Sequence, residues 1–306
     1  MMSFEEFKGI LREKVADNVD GEVTVVTVPK NNGVQLDALS VKRTGCNMAP
    51  VVYLAGYYND YNKGRSIENI VEAIVSLCER ESGISEEIIN YFTDYEKMKE
   101  YTRMKLVNKD NNSELLNNVP YVEFLDLAII FILDIPLLHR EIEGTVTISN
   151  KHMEIWGIDK EELFVNAKRN SLEKSPAVIK SMNEVIRDLY INDIAGEIAE
   201  DDEIYAMLDS AESYLYVLTN EAKHYGAITM TYENVIRDFA NEKGSNVYIL
   251  PSSIHELILV PAEGVMSTSE LRDMVQSVNQ SQLDEVEVLS DNVYYYDRKT
   301  DKITIA

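Results

Sequence analysis

Apolar positions recur at helical spacing from the start of the chain. Phe4, Phe7, Ile10, Leu11 and Val15 share one face, and Ser3 with Glu6 three residues on forms a capping box at the head of that helix. The period then drops to two. EVTVVTVP and VQLDALSVKR are strand-like runs, and the Lys30-Asn31-Asn32-Gly33 link between them carries the Asn-Gly signal of a hairpin. A third strand is expected over VVYLAGY. SIENIVEAIVSLCERE returns to helical spacing, with Ser66 as cap and Ile67, Ile70, Val71, Ile74, Leu77 and Cys78 as its apolar stripe. The pattern next predicts a helix over EEIINYFTDYEKMKEYTRMKLV, a polar loop over Asn108 to Asn118, and a buried strand in YVEFLDLAIIFIL.

The second half opens with a short strand, GTVTISN. A helix follows in DKEELFVNAKRNSL, with Asp159 as cap, Glu162 at the third position, and Ile158 and Leu163 placed as a hydrophobic staple. SPAVIKSMNEVIRDLY reads as a further helix, capped by Ser175 with Pro176 in its first turn. GEIAEDDEIY reads as a solvated acidic loop. Strands are expected in LYVLTN, AITMTY, NVYILPSS and HELILVP, with a helix ending at Gly244 among them. Ser267 and Glu270 cap ELRDMVQSVNQ, and NVYYYDRKTDKITI makes a terminal hairpin turning near Thr300-Asp301. This order defines an α+β fold with mixed or antiparallel sheets and packed amphipathic helices. Breaks at Pro136 and Gly144 suggest two α/β subdomains, residues 1–140 and 141–306.

Charge narrows the partners. The 306 residues carry 29 basic and 53 acidic side chains, a net charge of −24. A field of that sign repels nucleic acid phosphates and anionic membranes, so neither is an expected partner. The most apolar run, FLDLAIIFILDIPLL, is broken by Asp126, Asp134 and Pro136 and is too short to span a bilayer. Two cysteines make no disulfide framework, and the N-terminus has no signal-peptide pattern. The expected location is the cytoplasm. The sequence leaves the oligomeric state open.

The stretches KLVNKDNNSELLNNVPYVEFLDLAIIF, YVLTNEAKHYGA, VYILPSSIHELILVP and ELRDMVQSVNQSQLDEVEVLSDNVYYYDR resemble the signature segments of a bacterial family, domain of unknown function 5688. The resemblance covers nearly the whole chain. It implies a protein of anaerobic gut bacteria and carries no assigned activity. VTISNKHMEIWGIDKEELFVNAKRNSL is more distantly similar to domain of unknown function 1444, which implies a shared α+β architecture without a mechanism.

The candidate chemistry centres on ILPSSIHELILVP. His255-Glu256 matches the first half of the zinc-protease motif H-E-x-x-H, but position 259 is Leu259. The run is also strand-like, so the two side chains should point apart. His139, His152 and His224 are not at metal-ligand spacing. Cys46 follows a strand with no histidine motif beside it, and Cys78 lies on an apolar stripe. No nucleophile elbow, dinucleotide fingerprint or P-loop is present. NKDNNSELLNN fails as a calcium loop, with Ser113 at its sixth position and Val119 at its twelfth. The AEDDE run reads as a solvated loop. No cofactor or metal is expected. The 18 tyrosines, including YYNDY and YYY, suit strand packing first and interfaces second.

The sequence thus favours a non-catalytic cytoplasmic protein-binding or adaptor protein, with a protein as its partner. One alternative is an enzyme of unrecognised class with a cleft around residues 220–256. Another is an acidic mimic of nucleic acid. The candidate binding residues are His255, Glu256, Asn220, Tyr225, Ser252 and Ser253.

Overall fold

The structure, a computed structural model, describes residues 2–45, 49–80, 90–138, 142–194, 213–263 and 266–306. It divides into two compact units, Met1–Asp94 and Tyr95–Ala306. The subdomain boundary expected near residue 140 falls between two strands of one sheet.

In the first unit, α1 (Phe4–Ala16) carries the expected capping box between Ser3 and Glu6. Strands β1 (Gly21–Pro29) and β2 (Gln35–Arg43) pair antiparallel with Val25 opposite Leu39, joined by a 3-10 turn over Asn31–Gly33 in which Asn32 is left-handed. The third strand is shorter than its sequence suggested. β3 is only Val51–Tyr53, and α2 (Leu54–Asn62) follows at once. Leu54, Tyr57, Tyr58 and Tyr61 recur at helical spacing, and all four pack on the core of Phe7, Leu11, Leu39, Ile70 and Ile74. Tyr58 also donates to the Met2 carbonyl at 2.9 Å. Helix α3 (Ile67–Arg80) supplies the rest of this core through Ile70, Val71, Ile74 and Cys78.

The second unit holds two antiparallel sheets. In the first, β6 (Leu127–Leu138) lies centrally against β4 (Thr102–Asn108), β5 (Tyr121–Phe124) and β7 (Ile142–Thr147). The apolar run YVEFLDLAIIFIL is therefore a hairpin rather than one strand, turning at the left-handed Leu125. Helix α4 (Asn150–Trp156) leads to α5 (Lys160–Lys174), which is capped by Asp159 as expected. The helix expected to run to Val107 gives way at Tyr101. A helical turn (Tyr95–Met98) and a 3-10 turn (Lys99–Tyr101) precede β4. Pairing with β6 explains the change, and α5 covers the other edge: the Met104 amide donates to Ser171 Oγ at 2.9 Å, and Asn170 Nδ2 donates to the Thr102 carbonyl at 3.1 Å. Residues 81–89 of that expected helix lie outside the described residues.

The second sheet has the order β13-β12-β10-β11-β9-β8. Here β8 (Ala177–Ser181) replaces the first turns of an expected helix, which begins instead as α6 (Met182–Ile194). The capping pair is Ser181 with Glu184, whose amide donates to Ser181 Oγ at 3.2 Å, while Ser175 has no acidic partner three residues on. The rest of the sheet is β9 (Tyr216–Asn220), β10 (Val247–Pro251), β11 (Leu257–Pro261), β12 (Tyr294–Asp297) and β13 (Lys302–Ile305). AITMTY is not a strand but a 3-10 helix over Gly226–Thr231, in which Thr229 and Thr231 hydroxyls return to the carbonyls three residues back. Helices α7 (Val235–Lys243), ending at the left-handed Gly244, and α8 (Thr268–Ser281), with its Ser267–Glu270 box, fall where the sequence placed them.

Asp126, at the tip of the β5–β6 hairpin, ties the two sheets together. Its Oδ1 accepts from the Tyr294 hydroxyl at 2.8 Å, and its Oδ2 accepts from Ser290 Oγ at 2.7 Å and Asn292 Nδ2 at 3.0 Å. Tyr294 is fully buried, and burial next to this carboxylate pushes its phenol pKa upward. Removing the acceptor strands three donors, each costing about 1–3 kcal/mol when left unpaired. Asp126→Ala should therefore lower the unfolding free energy by roughly 2–4 kcal/mol, and Tyr294→Phe by only about 1 kcal/mol, measured by urea denaturation. Equal losses would show that the carboxylate does not organise the cluster.

Candidate functional site

The candidate residues gather where the segment after β9 passes the five-residue connection between β10 and β11. Pro251 and Leu257 close that connection as the last paired positions of the hairpin. Inside it the backbone is satisfied locally. The Ser252 and Ser253 amides both donate to the Glu256 carbonyl, at 3.3 and 3.1 Å. Ser253 Oγ accepts from the His255 amide at 2.9 Å, and Ser252 Oγ lies 3.5 Å from Glu256 Oε1. Four candidates, Ser252, Ser253, His255 and Glu256, thus build one turn.

The facing segment is built as tightly. Asn220 is buried at the end of β9, and its side chain brackets the next residues. Its Oδ1 accepts from the His224 amide at 3.1 Å, and its Nδ2 donates to the His224 carbonyl at 2.9 Å. Lys223 and Tyr225 are both left-handed, a conformation uncommon outside glycine. Gly226 follows with no room for a side chain. A Cβ there would collide with Thr219 Oγ1 and lie 2.5 Å from the His255 carbonyl oxygen. That same carbonyl accepts from Thr219 Oγ1 at 2.8 Å.

His255 closes the bracket. Its Nδ1 accepts the Tyr225 amide at 3.1 Å. A backbone amide only donates, so Nδ1 carries no proton and the neutral ring holds its hydrogen on Nε2. Nε2 lies 3.8 Å from Glu287 Oε1. The side chains of His255 and Glu256 serve different partners. Both residues lie in the turn before β11 rather than on the strand expected over HELILVP, so the divergence comes from the turn and not from strand alternation.

Three rings and a cation form the outer surface. His224 lies 3.8 Å from Tyr225 between centroids, and His255 is stacked 5.4 Å from each of them. Lys105 Nζ, from β4, sits 4.0 Å from the Tyr225 ring centroid. Burial lowers the pKa of both histidines, so both are neutral at neutral pH. The Glu287 charge opposes the shift at His255, and Asp134 opposes it at His224. Burial also raises the Tyr225 phenol, with Asp134 adding to it.

The structure thus joins Tyr225, Ser253 and His255 directly, ties Asn220 to them through the His224 backbone, and keeps Ser252 with Glu256 across the turn. Sequence reasoning missed Thr219, His224, Lys105, Asp134 and Glu287. His224 stood beside Tyr225 in YVLTNEAKHYGA. Lys105, Asp134 and Glu287 reach the site only through long-range packing. His152 is elsewhere: its Nδ1 accepts the Ser149 amide at 3.0 Å and its ring stacks on Trp156. Cys46, His139 and the AEDDE run lie outside the described residues. Among the described residues, no group of three or more His, Cys, Asp or Glu side chains could hold a metal ion, and no helix is long and apolar enough to cross a membrane.

The chain belongs to the family of unknown function DUF5688, whose model matches residues 4–298. The match covers the resemblance to domain of unknown function 5688 and does not extend to 1444. No curated protein and no solved structure matches the chain.

The bracket depends on pH with a defined sign. A His255 pKa held below its ordinary value of 6.5 means that the folded chain binds fewer protons than the unfolded chain in that window. Its stabilisation is complete above about pH 6.5 and fades as the pH falls through the lowered value. His255→Ala should cost roughly 1–2 kcal/mol at about pH 7.5, because the Tyr225 amide loses its acceptor. His255→Asn, whose Oδ1 can take that amide, should cost less. The advantage of wild type over His255→Asn should shrink towards about pH 5.5 in urea unfolding. A pH-independent difference would contradict the neutral-ring bracket. Gly226→Ala should destabilise by more than about 1 kcal/mol, read as a lowered thermal midpoint, since two segments must separate to admit the methyl group.

Proposed function

We propose that this chain is a non-catalytic protein-binding module, and that the surface of His224, Tyr225, His255 and Lys105 is its recognition platform. One observation carries the reading. The only lone pair on the neutral His255 ring is already occupied by the Tyr225 amide. A general base needs a free ring nitrogen within reach of a substrate proton. Here the nitrogen facing outward bears hydrogen and looks at Glu287, so the dyad is wired to hold a loop rather than to move a proton.

The same wiring favours binding. Tyrosine and histidine rings held by stacking and backbone bonds lose little freedom when a partner covers them, so little ordering entropy opposes association. Tyrosine is also among the residues that dominate interface energies. The 3.8 Å contact between His255 and Glu287 favours the enzyme reading for a cleft around residues 220–256. It ranks second because the carboxylate stands on the protonated side of the ring and the other side is filled.

The test is affinity capture from a lysate of the source bacterium, comparing wild type with Tyr225→Ala and Lys105→Ala. A partner retained by wild type should be lost by about tenfold or more in Tyr225→Ala, the scale of a hot-spot residue. Val25→Thr in the first unit should leave capture unchanged. A partner held equally by wild type and Tyr225→Ala would move the interface elsewhere.

A further inference from the structure

We infer that the partner presents an arginine-bearing basic segment to this platform, with a guanidinium stacked on the exposed ring of His224 between the carboxylates of Asp134 and Glu287. The inference rests on the protein-binding reading above and names the chemistry of the partner.

Charge complementarity is the first support. Asp134 perturbs both His224 and Tyr225, and Glu287 lies 3.8 Å from His255. Glu256 follows His255 on the same turn. Lys105 supplies the cation over Tyr225, and Arg103, next along β4 on the same face, is buried with its Nη1 donating to the Glu100 and Thr102 carbonyls. With both imidazoles neutral, the rim is net negative, within a chain of net charge −24.

The rings are the second support. A cation is already seated on this aromatic surface, since Lys105 Nζ lies 4.0 Å from the Tyr225 centroid. His224 covers Tyr225 and is itself exposed on its outer face. A neutral aromatic face flanked by carboxylates suits a guanidinium better than an ammonium, because the guanidinium is planar, weakly hydrated and able to bond a carboxylate with two N–H groups. Protonation works against it. A charged His255 would draw Glu287 into its own ion pair, and a charged His224 would repel the incoming cation. His224 faces Asp134 and Lys105, and His255 faces Glu287, His224 and Lys105, so these groups set the pH response.

The experiment uses the full chain and fluorescein-labelled peptides of alternating arginine and glycine, lysine and glycine, or glutamate and glycine, followed by anisotropy. The arginine peptide should bind tighter than the lysine peptide, and the glutamate peptide should not bind. Asp134→Asn and Glu287→Gln should each weaken the arginine peptide by about threefold, the upper range for one exposed charge pair. His224→Ala should abolish the preference for arginine over lysine. Binding should weaken from about pH 7.5 to about pH 5.5 as the imidazoles protonate. Glu68→Gln with Glu72→Gln, in the first unit, should leave binding unchanged.

Equal affinity for arginine and lysine peptides would overturn the inference. So would an affinity that falls with the first-unit charges but not with Asp134 or Glu287, since the peptide would then be reading overall charge. Either result leaves the protein-binding reading standing if Tyr225→Ala still loses the captured partner. A partner captured equally by wild type and Tyr225→Ala would instead move the interface off this platform, and the arginine inference would fall with it.

Discussion

Two backbones have to pass each other at Gly226, and most of the local architecture follows from that close approach. The segment leaving β9 must turn beneath the carbonyl of His255, where no side chain fits. Reaching that point takes left-handed backbone at Lys223 and Tyr225, neither of them glycine. Such conformations persist only where the surroundings over-determine them. Here the Asn220 side chain bonds both backbone groups of His224, Thr219 holds the His255 carbonyl, and the His255 ring accepts the Tyr225 amide.

That constraint decides the chemistry of the histidine. A ring used to anchor a strained amide keeps one tautomer and gives up its basic nitrogen. Burial and anchoring act in the same direction, since both disfavour the doubly protonated ring, while Glu287 alone favours it. The dyad that looked like half of a protease motif is therefore two residues whose side chains have separate partners. The surface left over is made of ring faces and one ammonium group.

Much of the fold could be read from the chain because local signals and tertiary pairing agreed. The capping boxes at Ser3 and Ser267, the Asp159 cap, the β1–β2 hairpin and the terminal hairpin each combine a turn signal with a matching hydrophobic period. The failures share a physical cause. TRMKLV sits at the end of a helical-looking run, yet its hydrogen bonds go to β6 and to Ser171, partners distant in sequence. AVIKS follows the start signal Ser175-Pro176, but pairing with β9 and the better cap at Ser181 outweigh it. AITMT alternates like a strand and is bent into a 3-10 helix by its own threonine hydroxyls. The site was legible to the same extent. Asn220, Tyr225, Ser253 and His255 lie in two short apolar-flanked segments, whereas Lys105, Asp134 and Glu287 come from elements that only the assembled unit brings near.

The assembly itself depends on a half-buried carboxylate used for structure. Asp126 collects three donors from the segment leading into β12, and Asn108 Nδ2 adds a bond to the Leu289 carbonyl nearby. These contacts fix the four-stranded sheet against the six-stranded one within the second unit. Lys105 and Asp134 belong to the first of these sheets, and the loops bearing His224 and His255 belong to the second. The cation over Tyr225 and the Asp134 carboxylate, whose charge acts on His224, are therefore positioned by the same packing that Asp126 secures. Loosening that latch would separate the charged rim from the rings, so the stability of the sheet pair and the chemistry of the surface are one property.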